Sequence, residues 1–229
     1  ETLLGETRRM TLSEFFSSGF EVVEANGEET VSADVPVEHL EKSPEKKNVP
    51  VEHHSTNANN FVITDENLGV KTPKARFAAN AAAIRTLNAI EAENRTATPI
   101  EQAILSGYTG WGAIPNAFDP DNKDWSNEYA ELKTLLTDEE FIDARRSTLN
   151  AHFTSPVIIN AIYEGLANFG FEQGKILEPA MGIGNFFGML PEAMRESELH
   201  GVELDDITGR IARQLYPGAD IQIKGFEKT

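Results

Sequence analysis

The sequence predicts an α/β fold: three parallel strands in order 3-2-1, half of a doubly wound sheet, with an N-terminal helical layer and a linker-like arm before it. Three observations predict this. Short apolar runs ending near residues 177, 204 and 224 have the length and bounding residues of strands. The stretch Lys175-Ile-Leu-Glu-Pro-Ala-Met-Gly-Ile-Gly-Asn-Phe-Phe187 places two glycines just past the first of them, where a chain leaving a parallel strand turns sharply. Between residues 59 and 150, apolar residues recur at helical spacing behind capping signals.

The arm comes first. Thr11-Leu-Ser-Glu14 is a capping box, followed by Phe15 and Phe16 and stopped by Gly19, so one short helix is expected, then a strand at 20–23. From about residue 25 to 60, glutamates alternate with Pro36, Pro44 and Pro50 and large apolar residues lack a period. Such a composition buries too little surface to offset ordering entropy, so a linker is expected there, and 1–58 as a whole reads as an arm made of the short helix and this linker. A partner-binding arm is the alternative.

The helical region, 59–150, opens on the apolar run Phe61-Val-Ile63. Thr72-Pro73 starts a helix whose Phe77, Ala81, Ile84 and Leu87 share one face. Thr98-Pro-Ile-Glu101 starts a second, with Ile100, Ala103 and Ile104 as its expected buried face and Gly107 as its stop. Gly107-Tyr-Thr-Gly-Trp-Gly-Ala-Ile-Pro115 is an unusual loop. Trp111 is read as a plug between two packed regions, and the functional alternative sets Tyr108 or Trp111 beside a ligand. Thr137-Asp-Glu-Glu140 caps a third helix, whose Arg145 and Arg146 read as a solvated face, with a phosphate contact as the minority reading.

The last region, 151–229, opens on His152-Phe-Thr-Ser-Pro156. Thr154 or Ser155 caps a helix begun by Pro156, with Ile159, Ile162, Leu166 and Phe169 as its expected buried stripe, and a helix start of this kind suits an anion such as a carboxylate. After the glycine loop, Leu199-His-Gly-Val-Glu-Leu204 is the second strand. Glu203 ends it 19 positions after Gly184, where an acidic side chain can accept both hydroxyls of a ribose. Ile207, Ile211 and Leu215 mark the crossover helix, and Asp220-Ile-Gln-Ile-Lys224 is the third strand. Phe226 and Glu227 lie beyond its end, where an adenine ring could be met. Helices are expected on both faces of the sheet.

Two ligand readings compete for the glycine loop. A dinucleotide fingerprint wants its third glycine one place before Gly188, and Glu178 would repel a pyrophosphate, so a nicotinamide enzyme is disfavoured. A ligand without phosphate and with a cationic amino acid end accounts for the carboxylate leading the loop. A strand-turn-helix corner without a ligand is the bland alternative.

Composition limits the partners. The net charge is -17, with Lys+Arg 20 and Asp+Glu 37, a poor footprint for phosphate contact. DNA, if it is the substrate, is expected to be held by protein outside this chain. There is no cysteine, which excludes disulfides and thiolate zinc sites, and the five histidines show no metal-ligand spacing. No apolar run reaches bilayer length and no signal peptide opens the chain, so a cytoplasmic protein is expected. Both ends read as cuts from a longer protein.

From residue 59 onward the chain resembles the adenine-specific (N6) DNA methyltransferase region of large methylase-helicase proteins carried by bacterial conjugative elements, plasmids and phages. The resemblance rests on Gly107-Tyr-Thr-Gly-Trp-Gly, Leu149-Asn-Ala-His-Phe-Thr-Ser-Pro156, Leu177-Glu-Pro-Ala-Met-Gly-Ile-Gly-Asn-Phe-Phe187, Gly201-Val-Glu-Leu-Asp205 and Gly225-Phe-Glu-Lys-Thr229. It implies a partial Rossmann-like sheet binding S-adenosylmethionine and a role in DNA methylation on a mobile element. By the same resemblance, Phe153, Thr154, Glu178, Gly182 and Gly184 meet the methionine part. Glu203 holds the ribose, and Phe226 and Glu227 meet the adenine. Ala180, Asn185 and Leu204 complete the implied cofactor contacts. DNA and the C-terminal methyltransferase and helicase regions of the same polypeptide are the implied partners.

The chain departs from the family pattern at one point. The family's Asn-Pro-Pro-aromatic motif, which receives the flipped base, does not occur in it, and no catalytic residue is assigned. Two functions are therefore expected in order. The first is the cofactor-binding portion of an adenine methyltransferase, inactive as this piece. The alternative is a non-catalytic DNA- or partner-docking module of a helicase-type protein with a degenerate cofactor pocket.

Overall fold

A computed structural model describes residues 59–64, 72–149 and 153–229. The expected helix start at Thr11, the strand at 20–23 and nearly all of the expected linker lie outside the described residues, as do His53, His54 and His152.

The fold is mixed α/β, with one three-stranded parallel sheet and several helices. Helix α1, Pro73–Ala92, starts where Thr72 caps it and Pro73 occupies its first turn, and it buries Phe77, Ala81, Ile84 and Leu87 as the spacing predicts. Helix α2, Pro99–Leu105, and helix α4, Asp138–Ser147, each begin at a complete capping box, Thr98 with Glu101 and Thr137 with Glu140. Arg95 grips both oxygens of Glu101 and holds its carboxyl down at about 2. Helix α3, Ser126–Leu135, follows a 3-10 turn ending at Trp125.

Rings build the centre of this layer. Trp111 is 1% exposed and meets Phe118, Tyr108 and Phe77 at centroid distances of 5.3, 6.2 and 6.3 Å. It is a packing residue inside this layer, not shown as a plug between two regions, and Phe118 and Tyr129 carry the cluster on to Phe141 of α4.

The sheet consists of β1, Lys175–Glu178, β2, Glu198–Glu203, and β3, Asp220–Ile223, all parallel with β2 in the centre. Register pairs Glu178 with Gly201 and Glu203 with Ile223. Alternation puts Ile176, Leu199, Gly201, Ile221 and Ile223 on one face. That face is roofed by helix α6, Asn185–Gly188, and helix α7, Asp206–Leu215: a Cβ on Gly201 would strike Met181 and reach Phe187, and one on Gly209 would come within 2.7 Å of Ile223.

The opposite face carries Lys175, Leu177, Glu198, His200, Asp220 and Gln222. Leu177 is 54% exposed there, and His200 sits between Glu198 and Asp220. Val202 is buried on this side but stands outside the continuous core. Helices on both faces are therefore not what the described residues show. The reason is in the strands, which alternate polar with apolar instead of running apolar throughout.

The helical layer packs on the outer side of α7. Gln102 donates to the carbonyls of Gln214 and Leu215 at 3.0 and 3.3 Å, and Arg210 of α7 joins Glu91 of α1 to Glu140 of α4. The run Phe61–Ile63 is extended and tied at both ends, Phe61 N to Leu215 O and Ile63 N to Gly188 O, each 2.8 Å.

Two expected faces differ. Helix α2 buries Gln102 and Leu105 and leaves Ile100 78% exposed, because Gln102 must reach the end of α7. Helix α5, Pro156–Asn168, buries Ile159 and Tyr163, while Ile162, Leu166 and Phe169 face outward. Tyr163 fixes that rotation by donating to the Phe186 carbonyl at 2.6 Å.

Candidate ligand-binding pocket

The pocket forms where β1 and β2 end. Glu178 closes β1, and the chain then turns back over the sheet through Pro179 to Gly184. Gly182 has φ 57°, and a Cβ there would lie 2.8 Å from the Phe153 ring, so the ring packs directly on the backbone of the loop. Gly184 has φ 85° and precedes the first turn of α6; a Cβ would lie 2.5 Å from Tyr216. Either substitution would push the loop off its seat.

Glu203 closes β2 one strand over. One carboxylate oxygen accepts from Gly182 N at 2.7 Å and the other from Asp205 N at 2.9 Å. It thus ties the glycine loop to the start of α7. Asp205 caps α7 by accepting from Thr208 N at 2.9 Å and from the Thr208 hydroxyl. Burial pushes the Glu203 carboxyl up, and the two amides partly counter that.

Glu178 lacks such help. One of its carboxylate oxygens is buried without a partner. Burial, and then the charge of Glu203, pushes its carboxyl up to about 8, so it holds its proton at neutral pH. Asn185, at the first position of α6, is 8% exposed and its side-chain oxygen is also buried without a partner. Burial likewise raises the Tyr108 hydroxyl.

These groups line one cavity of about 630 Å³. Of the residues singled out in the sequence, Phe153, Thr154, Glu178, Ala180, Gly182, Asn185, Glu203 and Leu204 line it. Gly184 shapes the loop from behind, and Phe226 and Glu227 lie outside the lining. Tyr108 and Gly110 bring the Gly107–Gly112 loop to its wall, so the loop both packs the core and borders the pocket.

Sequence reasoning named Arg146 only as a solvated residue or a phosphate contact and missed the rest of one wall. Asp143, Arg146 and Ser147 of α4 line the cavity, with Asp205, Asp206 and Thr208 of α7. The Arg146 side chain stays exposed and pairs with Asp143 at 3.2 Å. Glu140, the capping residue of α4, pairs with Arg210 of α7 and so draws α4 to the sheet, a tertiary contact that no spacing in the sequence announces.

Among the described residues no group of three or more His, Cys, Asp or Glu is arranged to hold a metal, and no helix is long and apolar enough to cross a membrane.

Comparisons with known proteins bear on the reading. No protein-family model matches the chain, and no solved structure matches it. Among curated proteins it is similar to "Defense against restriction protein B" of Escherichia phage P1, 25% identical over 160 residues, which is 70% of this chain and 6% of that protein. The chain thus spans a small part of the length of the relative it matches.

These findings correct the first expectation. The identification as an adenine-N6 DNA methyltransferase, with its attached terms of transferase activity and DNA methylation, fails. The similarity found is to a restriction-defence protein, and no methyltransferase family matches. The glycine loop and Glu203 misled because their placement serves any ligand at the ends of parallel strands, and such placement does not specify a reaction.

Proposed function

We propose that this chain is a non-catalytic partner-docking module of a larger protein, with a degenerate cofactor pocket. One observation carries the reading: the cavity at the strand ends joins polar side chains, among them Glu178, Asn185 and Glu203, to an apolar wall of Phe153, Met181 and Phe186. Degeneracy is supported by Glu203, both of whose oxygens are already engaged by backbone amides. The order of the strands and a pocket at their carboxyl ends support reading the sheet as part of a Rossmann-like, doubly wound arrangement.

S-adenosylmethionine is the small molecule we propose the pocket retains, weakly and without reaction. Its ammonium group would meet Glu178 and Asn185. The net charge of -17 argues for a protein partner over nucleic acid, and DNA contacts of a whole protein are assigned to parts outside this chain.

Two titrations test the reading. S-adenosylmethionine should give weak, saturable heat, and duplex DNA should give none at about 0.15 M salt. Saturable DNA binding under those conditions contradicts docking through protein, and S-adenosylmethionine-dependent methylation of DNA by this chain contradicts the absence of catalysis.

A further inference from the structure

We propose that Arg210 is a positioning residue for this pocket, a three-armed ionic clasp that holds the α4 wall closed against α7 and thereby sets the affinity for the small molecule inside. The inference rests on the pocket reading.

The α4 wall meets α7 along a seam that resists closure. Glu139, Glu140 and Asp143 of α4 stand with Asp205 and Asp206, at the start of α7, around a second cavity of about 380 Å³ beside the first. Like charges so placed push the two helices apart. The pair of Asp143 with Arg146 lies within α4 and the bond of Asp205 with Thr208 lies at the start of α7, so neither bridges the seam.

Arg210 bridges it. Its guanidinium donates to Glu140 of α4 and to Asp206 of α7, each at 2.9 Å, and to both oxygens of Glu91 on α1. A planar fork of five donors in fixed directions suits three carboxylates, where a lysine offers a single point charge. Its side chain is 23% exposed, so salt screens these pairs less than open surface pairs. Arg210 itself lines neither cavity, so its effect on a ligand passes through its partners. The far side of α4 is anchored independently, by Phe141 against Phe118 and Tyr129 and by the buried Ala144. Loss of Arg210 therefore leaves α4 folded and lets Asp143, Arg146 and Ser147 move off the pocket.

Calorimetric titration with S-adenosylmethionine at about 0.15 M salt tests this. Arg210→Gln should weaken binding about tenfold. Arg95→Gln is the control, because Arg95 is bonded in the same manner to Glu93 and Glu101 and none of the three lines either cavity. It should change affinity by less than about twofold. Glu140→Gln keeps a side-chain oxygen for the capping bond and loses the charge on the α4 arm. In that background Arg210→Gln should weaken binding by less than about threefold, since the repulsion across the seam is relieved. The gap between Arg210→Gln and the parent should narrow as salt rises from about 0.05 to about 0.5 M. A second measurement needs no ligand. The chain has no cysteine, so spin labels on Arg145→Cys and Glu196→Cys report the place of α4 against the sheet. Their distance distribution should shift and broaden with Arg210→Gln and stay unchanged with Arg95→Gln.

Equal losses of affinity with Arg210→Gln and Arg95→Gln would mean a general loss of stability and overturn the inference. So would a full tenfold loss in the Glu140→Gln background, or an unmoved distance distribution with Arg210→Gln. No binding by the folded parent overturns the pocket reading, and the distance measurement then decides the clasp by itself.

Discussion

The two faces of the sheet have had different fates. One carries Ile176, Leu199, Gly201 and Ile221 and lies under α6, α7 and the helical layer beyond them. The other presents Lys175, Leu177, Glu198, His200 and Asp220, and most of it faces outward. Parallel strands are ordinarily covered on both sides. The contrast shows where the folding energy of this region sits: on one face, with the pocket at its end. The glycine loop, Glu203 and the start of α7 all belong to the covered side, so the site is built on the packed half of the sheet.

The largest expected effect tests that asymmetry directly. Ile211 of α7 is 0% exposed. Ile211→Ala should cost about 3–4 kcal/mol in urea unfolding. Leu177→Ala on the open face should cost under about 0.5 kcal/mol. Comparable losses at the two positions would break the comparison.

Glu178 sharpens it. Its folded carboxyl titrates at about 8, above the ordinary 4.5, so the native state keeps a proton that the unfolded chain releases. The stability held by that proton is complete below pH 4.5 and is lost as pH rises through 8. Glu178→Gln should therefore leave stability unchanged near pH 4 and raise it by about 2–4 kcal/mol near pH 9. Unfolding midpoints across pH check this, and a variant that tracks the parent at every pH would contradict a buried, proton-holding Glu178.

A smaller effect is expected at Thr137, whose hydroxyl accepts from Glu140 N at 3.2 Å. Thr137→Ala should lower stability by about 1 kcal/mol. It should also loosen the α4 wall of the pocket, read as faster hydrogen exchange across α4.

Much of the fold was legible because local signals agreed. Thr98 with Glu101 and Thr137 with Glu140 form complete capping boxes, and Pro73 and Pro156 sit in first turns. The three strands lie where short apolar runs placed them. The polarity of the open face was legible too, in the alternation of Glu198-Leu-His-Gly-Val202, yet the expectation of two covered faces outweighed it. The rotation of α5 was not legible. Apolar residues stand on more than one side of it, and only the partner of Tyr163 decides which side is buried. In the pocket, the loop and the strand ends could be read from spacing. The α4 wall could not, because Asp143 and Arg146 come to the sheet by tertiary packing alone.

The most direct test of the account is a calorimetric titration with S-adenosylmethionine at pH 7, run in two buffers of different ionisation heat. A cation arriving beside Glu178 should expel the proton held there, so binding should release close to one proton, and Glu178→Gln should release none. Saturable binding with no proton released, or no binding by the folded chain, would contradict a pocket built to receive positive charge at Glu178 and Asn185.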